Sequence, residues 1–219
     1  DVVLAVGGDG TINEVVNGFF AAPTGPDNQP LRPAATLALV TSGTGGDFRK
    51  TFRLTEALDH QIQTIAAGHD RTIDVGRVDF IDHHGQPATR YFANIASFGL
   101  SGVVDDKVNK SSKALGGRMS FLLGLSRSLI SYRPQPVRIS VDASPFYEGP
   151  MVTAACANGQ FFGGGMHFAP EARIDDGLFD VVVQTRSGLR EVSSISDLYQ
   201  GRILSWPSVM HTRGKVVEA

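Results

Sequence analysis

The chain has 219 residues, 42% hydrophobic and 19% charged, enough apolar content for a buried core in one or two domains, which excludes a collagen, a coiled coil or a disordered tail. Twenty Lys and Arg against 22 Asp and Glu leave a formal charge of -2, too balanced for the basic field that neutralises nucleic-acid phosphates, so no nucleic acid is expected as a partner. Glycine is the outlier, 25 residues against a usual share of roughly 7%, and the places where glycines cluster carry the reading.

Val2 to Val6 is a continuous apolar run, as expected of a strand covered on both faces. A glycine turn follows, and Ile12, Val15, Val16 and Phe19 then mark one face of a helix. Ala21 to Pro33 reads as a surface loop, and Thr36 to Val40 as a second buried strand that runs into Ser42-Gly43-Thr44-Gly45-Gly46-Asp47. Thr55 is placed to cap a helix with the apolar stripe Leu58, Ile62 and Ile65 and a stop at Gly68. Beyond Gly68 the pattern turns β-rich. Thr72 to Ile81 and Arg90 to Phe98 flank a polar turn as a hairpin, and a helix is expected around Met119 to Ile130. Strands follow at Val137 to Val141, Met151 to Ala157 and Leu178 to Gln184, then a helix near Val192 to Leu204 that stops at Trp206-Pro207.

Cys156, the single cysteine, lies in the run Met151 to Ala157 and reads as an inert core thiol, which fits a reducing compartment. No run approaches the roughly 18 apolar residues of a membrane span. His83-His84 reads as part of a solvated turn, and Phe121 to Leu125 as core, with contact at a membrane surface as its rival reading. The chain opens on an apolar strand and closes as a strand begins, so it is read as trimmed at both ends.

Three glycine clusters carry the chemistry. Gly7-Gly8-Asp9-Gly10-Thr11-Ile12-Asn13 sits between a strand and a helix, where glycines let backbone N–H groups approach an anion and the helix start adds partial positive charge. An aspartate inside such a cradle suits a cation, Mg²⁺ foremost. The plainer alternative is a tight turn with Asp9 as an N-cap. Gly43 to Asp47 repeats the pattern after the next strand, and parallel strands bring such turns to one sheet edge. The third cluster, Asn158 to Met166, leads into Glu171-Ala172-Arg173-Ile174-Asp175-Asp176-Gly177-Leu178, either a plain turn or a hard-cation site.

With these motifs, together with Ile73-Asp74-Val75-Gly76 and the pair Asn94 and Gly99, the chain resembles the diacylglycerol kinase catalytic family, especially soluble bacterial lipid kinases related to sphingosine and ceramide kinases. The resemblance implies an α/β nucleotide-binding domain of the NAD kinase/diacylglycerol kinase type over residues 1–73 and a β-sandwich domain over residues 74–219, with the site in the cleft between them. It implies transfer of the γ-phosphoryl group of ATP to a lipid hydroxyl such as that of diacylglycerol, with ATP and Mg²⁺ as cofactors. Carried over by position, Gly7, Gly8, Asp9, Gly10, Thr11, Ile12, Asn13 and Thr44 match ATP-binding residues. Asp9, Asp47 and Asp74 match acids that organise Mg²⁺ and its waters, while Arg173 and Leu178 by their carbonyls and Asp176 by its carboxylate match a structural Mg²⁺ site.

Two departures stand out. The family's P-x-G-T-x-N-D reads Thr41 to Asp47 here, without its Pro and Asn, and the family's D-G-E general base would lie beyond Ala219, leaving Asp9 as Mg-water organiser or as the base itself. The implied partners are a lipid with a free hydroxyl and a peripheral membrane surface, in the cytoplasm at the inner face, and a homodimer is compatible with the family. The rival readings are an NAD kinase-like enzyme, which uses a similar Gly-Gly-Asp-Gly-Thr turn, and a lipid- or nucleotide-binding module without catalysis.

Overall fold

The computed structural model describes residues 1–20, 30–41, 46–102, 132–186 and 188–219. Thr44, the remainder of the second glycine turn up to Gly45, the expected helix around Met119 to Ile130 and the Phe121 to Leu125 stretch lie outside the described residues.

The N-terminal piece is a strand, a helix and a second strand in the expected order. β1 (Val2–Gly7) leads into α1 (Asp9–Phe19), and β2 (Thr36–Thr41) pairs with β1 in parallel, Val2 opposite Thr36 through to Gly7 opposite Thr41. α1 buries Ile12 and Val16 beside Ala5, as its periodicity requires. The expectation that β1 is covered on both faces is not met among the described residues. Val2, Leu4 and Val6 stay exposed because β2 is the one strand that pairs with β1 there.

A five-residue helix, α2 (Asp47–Thr51), follows the second glycine turn, and α3 (Leu58–Ala67) comes next. α3 departs from the expected stripe. Its N-cap is Ala57 rather than Thr55, and Leu58 and Ile62 face outward while Gln61 is the residue it buries. The reason is a hydrogen-bond anchor: the Thr41 amide donates to Gln61 Oε1 at 2.8 Å, and Gln61 Nε2 donates to the carbonyls of Thr55 and Glu56. Buried backbone groups must be paired, and here the pairing overrides the apolar periodicity. The stop at Gly68 is as expected, in the left-handed conformation.

β3 (Gly76–Ile81) and β4 (Pro87–Phe92) form the hairpin, shorter than expected at its start. Its turn is closed by Asp82, whose Oδ1 accepts the amides of His84 and Gln86, and the His83 and His84 rings lie 3.9 Å apart in it. The hairpin is tied back to α1. Asn17 mimics a strand edge, its Oδ1 accepting the Tyr91 amide and its Nδ2 donating to the Tyr91 carbonyl, both at 2.9 Å, while Tyr91 stacks on Phe20.

The remaining strands build a sandwich. β5 (Ile95–Gly99), β8 (Thr153–Ala157), β11 (Phe179–Gln184) and β12 (Val209–Gly214) form one sheet in the order β12-β11-β8-β5, and β6 (Gln135–Val141), β7 (Ser144–Met151) and β13 (Val217–Glu218) form the other. The expected strand Met151 to Ala157 is thus divided between β7 and β8. The run Val181-Val182-Val183 is fully buried because the four-stranded sheet is covered on both faces. Val181 and Val183 pack with Ile139, Val141 and Met151 between the sheets, and Val182 packs with Phe168, Leu198, Ile203 and Trp206 behind. The expected long helix is broken into α4 (Leu189–Ser193), α5 (Ile195–Tyr199) and a 3₁₀ turn at Ile203–Ser205, and Gly201 takes a left-handed conformation at the break. Trp206 packs as expected and donates from Nε1 to Asp197 at 3.2 Å. Burial pushes the Cys156 thiol up to about 11, which keeps it protonated and inert.

Two short strands, β9 (Phe161–Phe162) and β10 (Met166–His167), bracket the triple glycine. His167 stacks on Phe161 at 4.2 Å, and its Nε2 is buried without a hydrogen-bond partner. Desolvation therefore lowers its pKa from the ordinary value near 6.5. Neutral His167 is favoured in the fold, so its contribution to stability is present above about pH 6.5 and is lost as the pH falls through that value. We expect the urea midpoint of the parent chain to fall more steeply between pH 7.5 and 5.5 than that of His167→Phe, and equal slopes would contradict the assignment.

Candidate functional site

The Gly7-Gly8-Asp9 turn places α1 directly after β1. A Cβ on Gly7 would clash with the Thr11 side chain, so the first helical turn folds back onto the glycine, and the Ile12 amide closes onto the Gly8 carbonyl. The residues read as a phosphate cradle thus crowd the start of an 11-residue helix.

Asp9 caps another helix. Its Oδ2 accepts the Asp47 amide and its Oδ1 the Phe48 amide, both at 3.0 Å. α2 has no side-chain cap of its own because Gly46 occupies its N-cap with φ 59° and ψ 36°. Its unpaired first amides are met by a carboxylate 38 residues upstream. The same geometry explains Gly46 where the family has Asn, since these two residue types best tolerate the left-handed region.

Asp47 continues the chain of contacts. It is only 4% exposed, and its Oδ1 accepts from Lys50 Nζ at 2.7 Å while its Oδ2 accepts the Gly164 amide at 2.8 Å. Gly163, Gly164 and Gly165 have φ values of 63°, 82° and 101°, conformations that side chains resist, which accounts for three consecutive glycines there. The third glycine cluster therefore meets the second. The neighbouring Thr51 hydroxyl accepts the Gln160 amide at 3.1 Å, adding a second tie between α2 and the sandwich piece.

Asp74 lies further along the same junction. Its amide donates to the Ile174 carbonyl at 2.7 Å, its carbonyl accepts from Asn158 Nδ2 at 2.7 Å, and its Oδ2 accepts the Gly177 amide at 2.6 Å. Arg71 pairs with Asp175 at 2.5 Å. The segment leaving α3 is thus clasped along the Asp-Asp-Gly turn. Asn94 seals the other side, with its carbonyl accepting the Asn158 and Gly159 amides and its Nδ2 donating to the Phe161 carbonyl.

Within that turn, Asp176 Oδ1 accepts the Leu178 amide at 3.1 Å, and Asp176 Oδ2 pairs with the Arg213 guanidinium. Arg213 Nε also donates to Oδ2 of the fully buried Asp180 at 3.2 Å, and His211 Nε2 lies 2.7 Å from Asp180 Oδ1. These partners hold the Arg213 pKa above its usual value, the Asp176 hydrogen bond first among them.

The donor atoms test the expected cations. One carboxylate with the Arg173 and Leu178 carbonyls is an all-oxygen set that suits Mg²⁺, and such an ion would share Asp176 with Arg213. Asp9 and Asp47 each use both oxygens on donors, so they fit magnesium through its waters better than by direct contact. The structure brings together Gly7 to Asn13, Asp9 and Asp47 in one group and Asp74, Arg173, Asp176 and Leu178 in another. Sequence reasoning missed Lys50, Thr51 and the Asn158 amide. The Asp-x-x-Lys spacing on a short helix was the available signal for the first of these.

If Asp9 holds α2, Asp9→Ala should destabilise the chain by about 1–2 kcal/mol in urea unfolding. It should also speed amide exchange at Asp47 and Phe48 while sparing Gly177. Unchanged exchange at Asp47 and Phe48 would contradict the cap.

Comparison with known proteins gives two family matches along the chain. Residues 1–78 match the diacylglycerol kinase catalytic domain, and residues 94–219 match the YegS C-terminal NAD kinase beta sandwich-like domain. Diacylglycerol kinase of Bacillus subtilis (strain 168) is 30% identical over the whole chain, and that of Staphylococcus aureus (strain Newman) is 26% identical over 99% of it. The chain spans 66% and 63% of those two proteins' lengths. A crystal structure of a diacylglycerol kinase from Bacillus anthracis (strain Sterne) superposes with a TM-score of 0.66 at 25% identity, covering 99% of this chain and 65% of that one. A second structure from that organism gives 0.69 at 24% identity, which speaks for the fold alone. With a family domain matched on either side of the junction that Asp9, Asp47 and Asp74 stitch together, the chain belongs to the diacylglycerol kinase family, its catalytic domain followed by the YegS-type β-sandwich domain.

Proposed function

We propose that this chain carries the nucleotide and acceptor cleft of an ATP- and magnesium-dependent lipid kinase that transfers the γ-phosphoryl group to a lipid hydroxyl, diacylglycerol being the foremost acceptor. The observation that supports it is the line of contacts from Asp9 through Asp47 to Gly164, which draws the first glycine turn, the Gly46-Asp47 end of the second and the triple glycine to one junction. Phosphoryl transfer asks a protein mainly for positioning and for charge neutralisation around the phosphates, and backbone amides at glycine turns suit both tasks.

In this reading Gly7, Gly8, Gly10, Thr11, Ile12 and Asn13 receive the phosphates at the start of α1, and Thr44 is the remaining nucleotide-binding residue that the family pattern assigns. Asp9 and Asp47 would hold waters of the magnesium ion, with Asp74 reaching toward them from the neighbouring group at the Asp-Asp-Gly turn, and Arg173, Asp176 and Leu178 would hold a structural ion in that turn. Magnesium, when bound, supplies neutralisation of the phosphate charge. Asp9 keeps α2 in register with α1, so the start of α2 is held beside the first nucleotide turn. Among the described residues no helix is long and apolar enough to cross a membrane, and a lipid acceptor would be met at the surface of a bilayer or micelle.

The test is mass-spectrometric detection of product after incubating the protein with ATP, Mg²⁺ and a panel of diacylglycerol, monoacylglycerol, sphingosine and NAD. Phosphorylated lipid is expected. Phosphorylation of NAD alone, or ATP binding with transfer to no acceptor, would contradict the proposal. Asp9→Ala should lower kcat/KM by about 10³-fold, about 4 kcal/mol of barrier, which is more than its stability cost accounts for.

A further inference from the structure

The Asp-Asp-Gly turn leads straight into β11, and the pairing of β11 with β12 brings a second set of charges to it. Asp180 on β11 lies opposite Arg213 on β12, and His211, two residues earlier on the same face of β12, closes on the same carboxylate. Asp180 is fully buried, with each oxygen on one of these partners, Oδ2 on Arg213 Nε at 3.2 Å and Oδ1 on His211 Nε2 at 2.7 Å. A carboxylate stripped of water needs such partners, so the Nε side of Arg213 is committed to Asp180.

The other arm of the guanidinium reaches the turn. Arg213 Nη2 pairs with Asp176 Oδ2, on the carboxylate that the family pattern assigns to the structural ion. The planar fork of an arginine can span two acids in this way, which the single ammonium of a lysine does less well. Asp176 Oδ1 accepts the Leu178 amide at 3.1 Å, so both oxygens of Asp176 already have a donor. Arg173 stands further off, its Nε 3.9 Å from Asp176 Oδ2 and its side chain 70% exposed, and Arg71 is engaged with Asp175. Arg213 is therefore the positive charge held closest to Asp176. A divalent cation on that carboxylate would meet a like charge beside it unless the guanidinium gave way.

Resting on the structural-ion assignment proposed above, we infer that Arg213 is an internal competitor for that site: its guanidinium and a divalent cation contend for Asp176, and the Nη2 arm swings toward solvent while Nε stays on Asp180. Cation affinity at the turn is then set by how readily Arg213 lets go of Asp176, and Arg213 keeps the turn in place under chelation.

The experiment is titration of the nucleotide-free protein with Mn²⁺, a hard cation that shares the oxygen preference of Mg²⁺, read from the electron paramagnetic resonance signal of the free ion. Mg²⁺ serves as competitor, and Asp176→Asn identifies the site. Arg213→Gln should bind Mn²⁺ at that site roughly tenfold to a hundredfold tighter than the parent. Arg213→Lys, which keeps the charge but loses the fork, should fall between the two. Thermal melting gives a second readout: at equimolar Mn²⁺, EDTA should lower the melting temperature of Arg213→Gln and leave that of the parent unchanged. Equal or weaker Mn²⁺ binding in Arg213→Gln would overturn the inference and leave the ion site standing. If that variant does not fold, parent-like affinity in Arg213→Lys would overturn it equally. Mn²⁺ binding at Asp176 in neither the parent nor the Arg213 variants would overturn the structural-ion assignment and this inference with it.

Discussion

A carboxylate reaching across 38 residues to hold the first amides of a five-residue helix is the contact on which the rest of this site depends. A helix of that length contributes little stability of its own, because nucleation costs nearly as much as so few bonds return. Its place is set from outside by Asp9 at the N-terminus and by burial of Phe48 in the core with Ala5, Ile12 and Val16. Once α2 is placed, the Asp47 carboxylate is aimed at Gly164 and the Thr51 hydroxyl at Gln160. Two short contacts then join the N-terminal piece to the sandwich, with Asp74 and Arg71 adding a second line of ties along the Asp-Asp-Gly turn.

This arrangement gives the acidic residues two tasks. Each carboxylate of the set Asp9, Asp47 and Asp74 accepts at least one backbone amide, so each fixes the position of a turn before any cation is considered. Such charge-assisted bonds are short and directional, and removing one partner leaves a backbone donor without its acceptor. Mutational loss at these positions therefore mixes misplacement of the turns with loss of charge, and measurements of stability and exchange are needed to separate the two.

Much of the fold was legible in the residue pattern, and the limits have physical causes. Leu178 to Gln184 read as a strand from its run of valines, which the sheet covers on both faces, and Gly68 read as a helix stop because its left-handed conformation ends the helix. The face of α3 was misread because a glutamine, hydrogen-bonded to the end of β2, turned Leu58 and Ile62 outward. The glycine turns were legible as turns, and the resemblance supplied the acids. The partners of those acids were not legible. A backbone amide carries no residue identity, so nothing in the sequence marks Gly164 as the donor to an aspartate 117 positions away. For the same reason the third glycine cluster read as the approach to a cation site, whereas in the structure its middle glycine faces Asp47.

If the glycine turns of both pieces close on one nucleotide site, amide hydrogen exchange on the protein with and without ATP and Mg²⁺ will show it most directly. The nucleotide should protect Gly7 to Asn13 and Gly163 to Gly165 together, at the same ligand concentration. Protection confined to the first turn, with Gly163 to Gly165 unchanged at saturation, would contradict it.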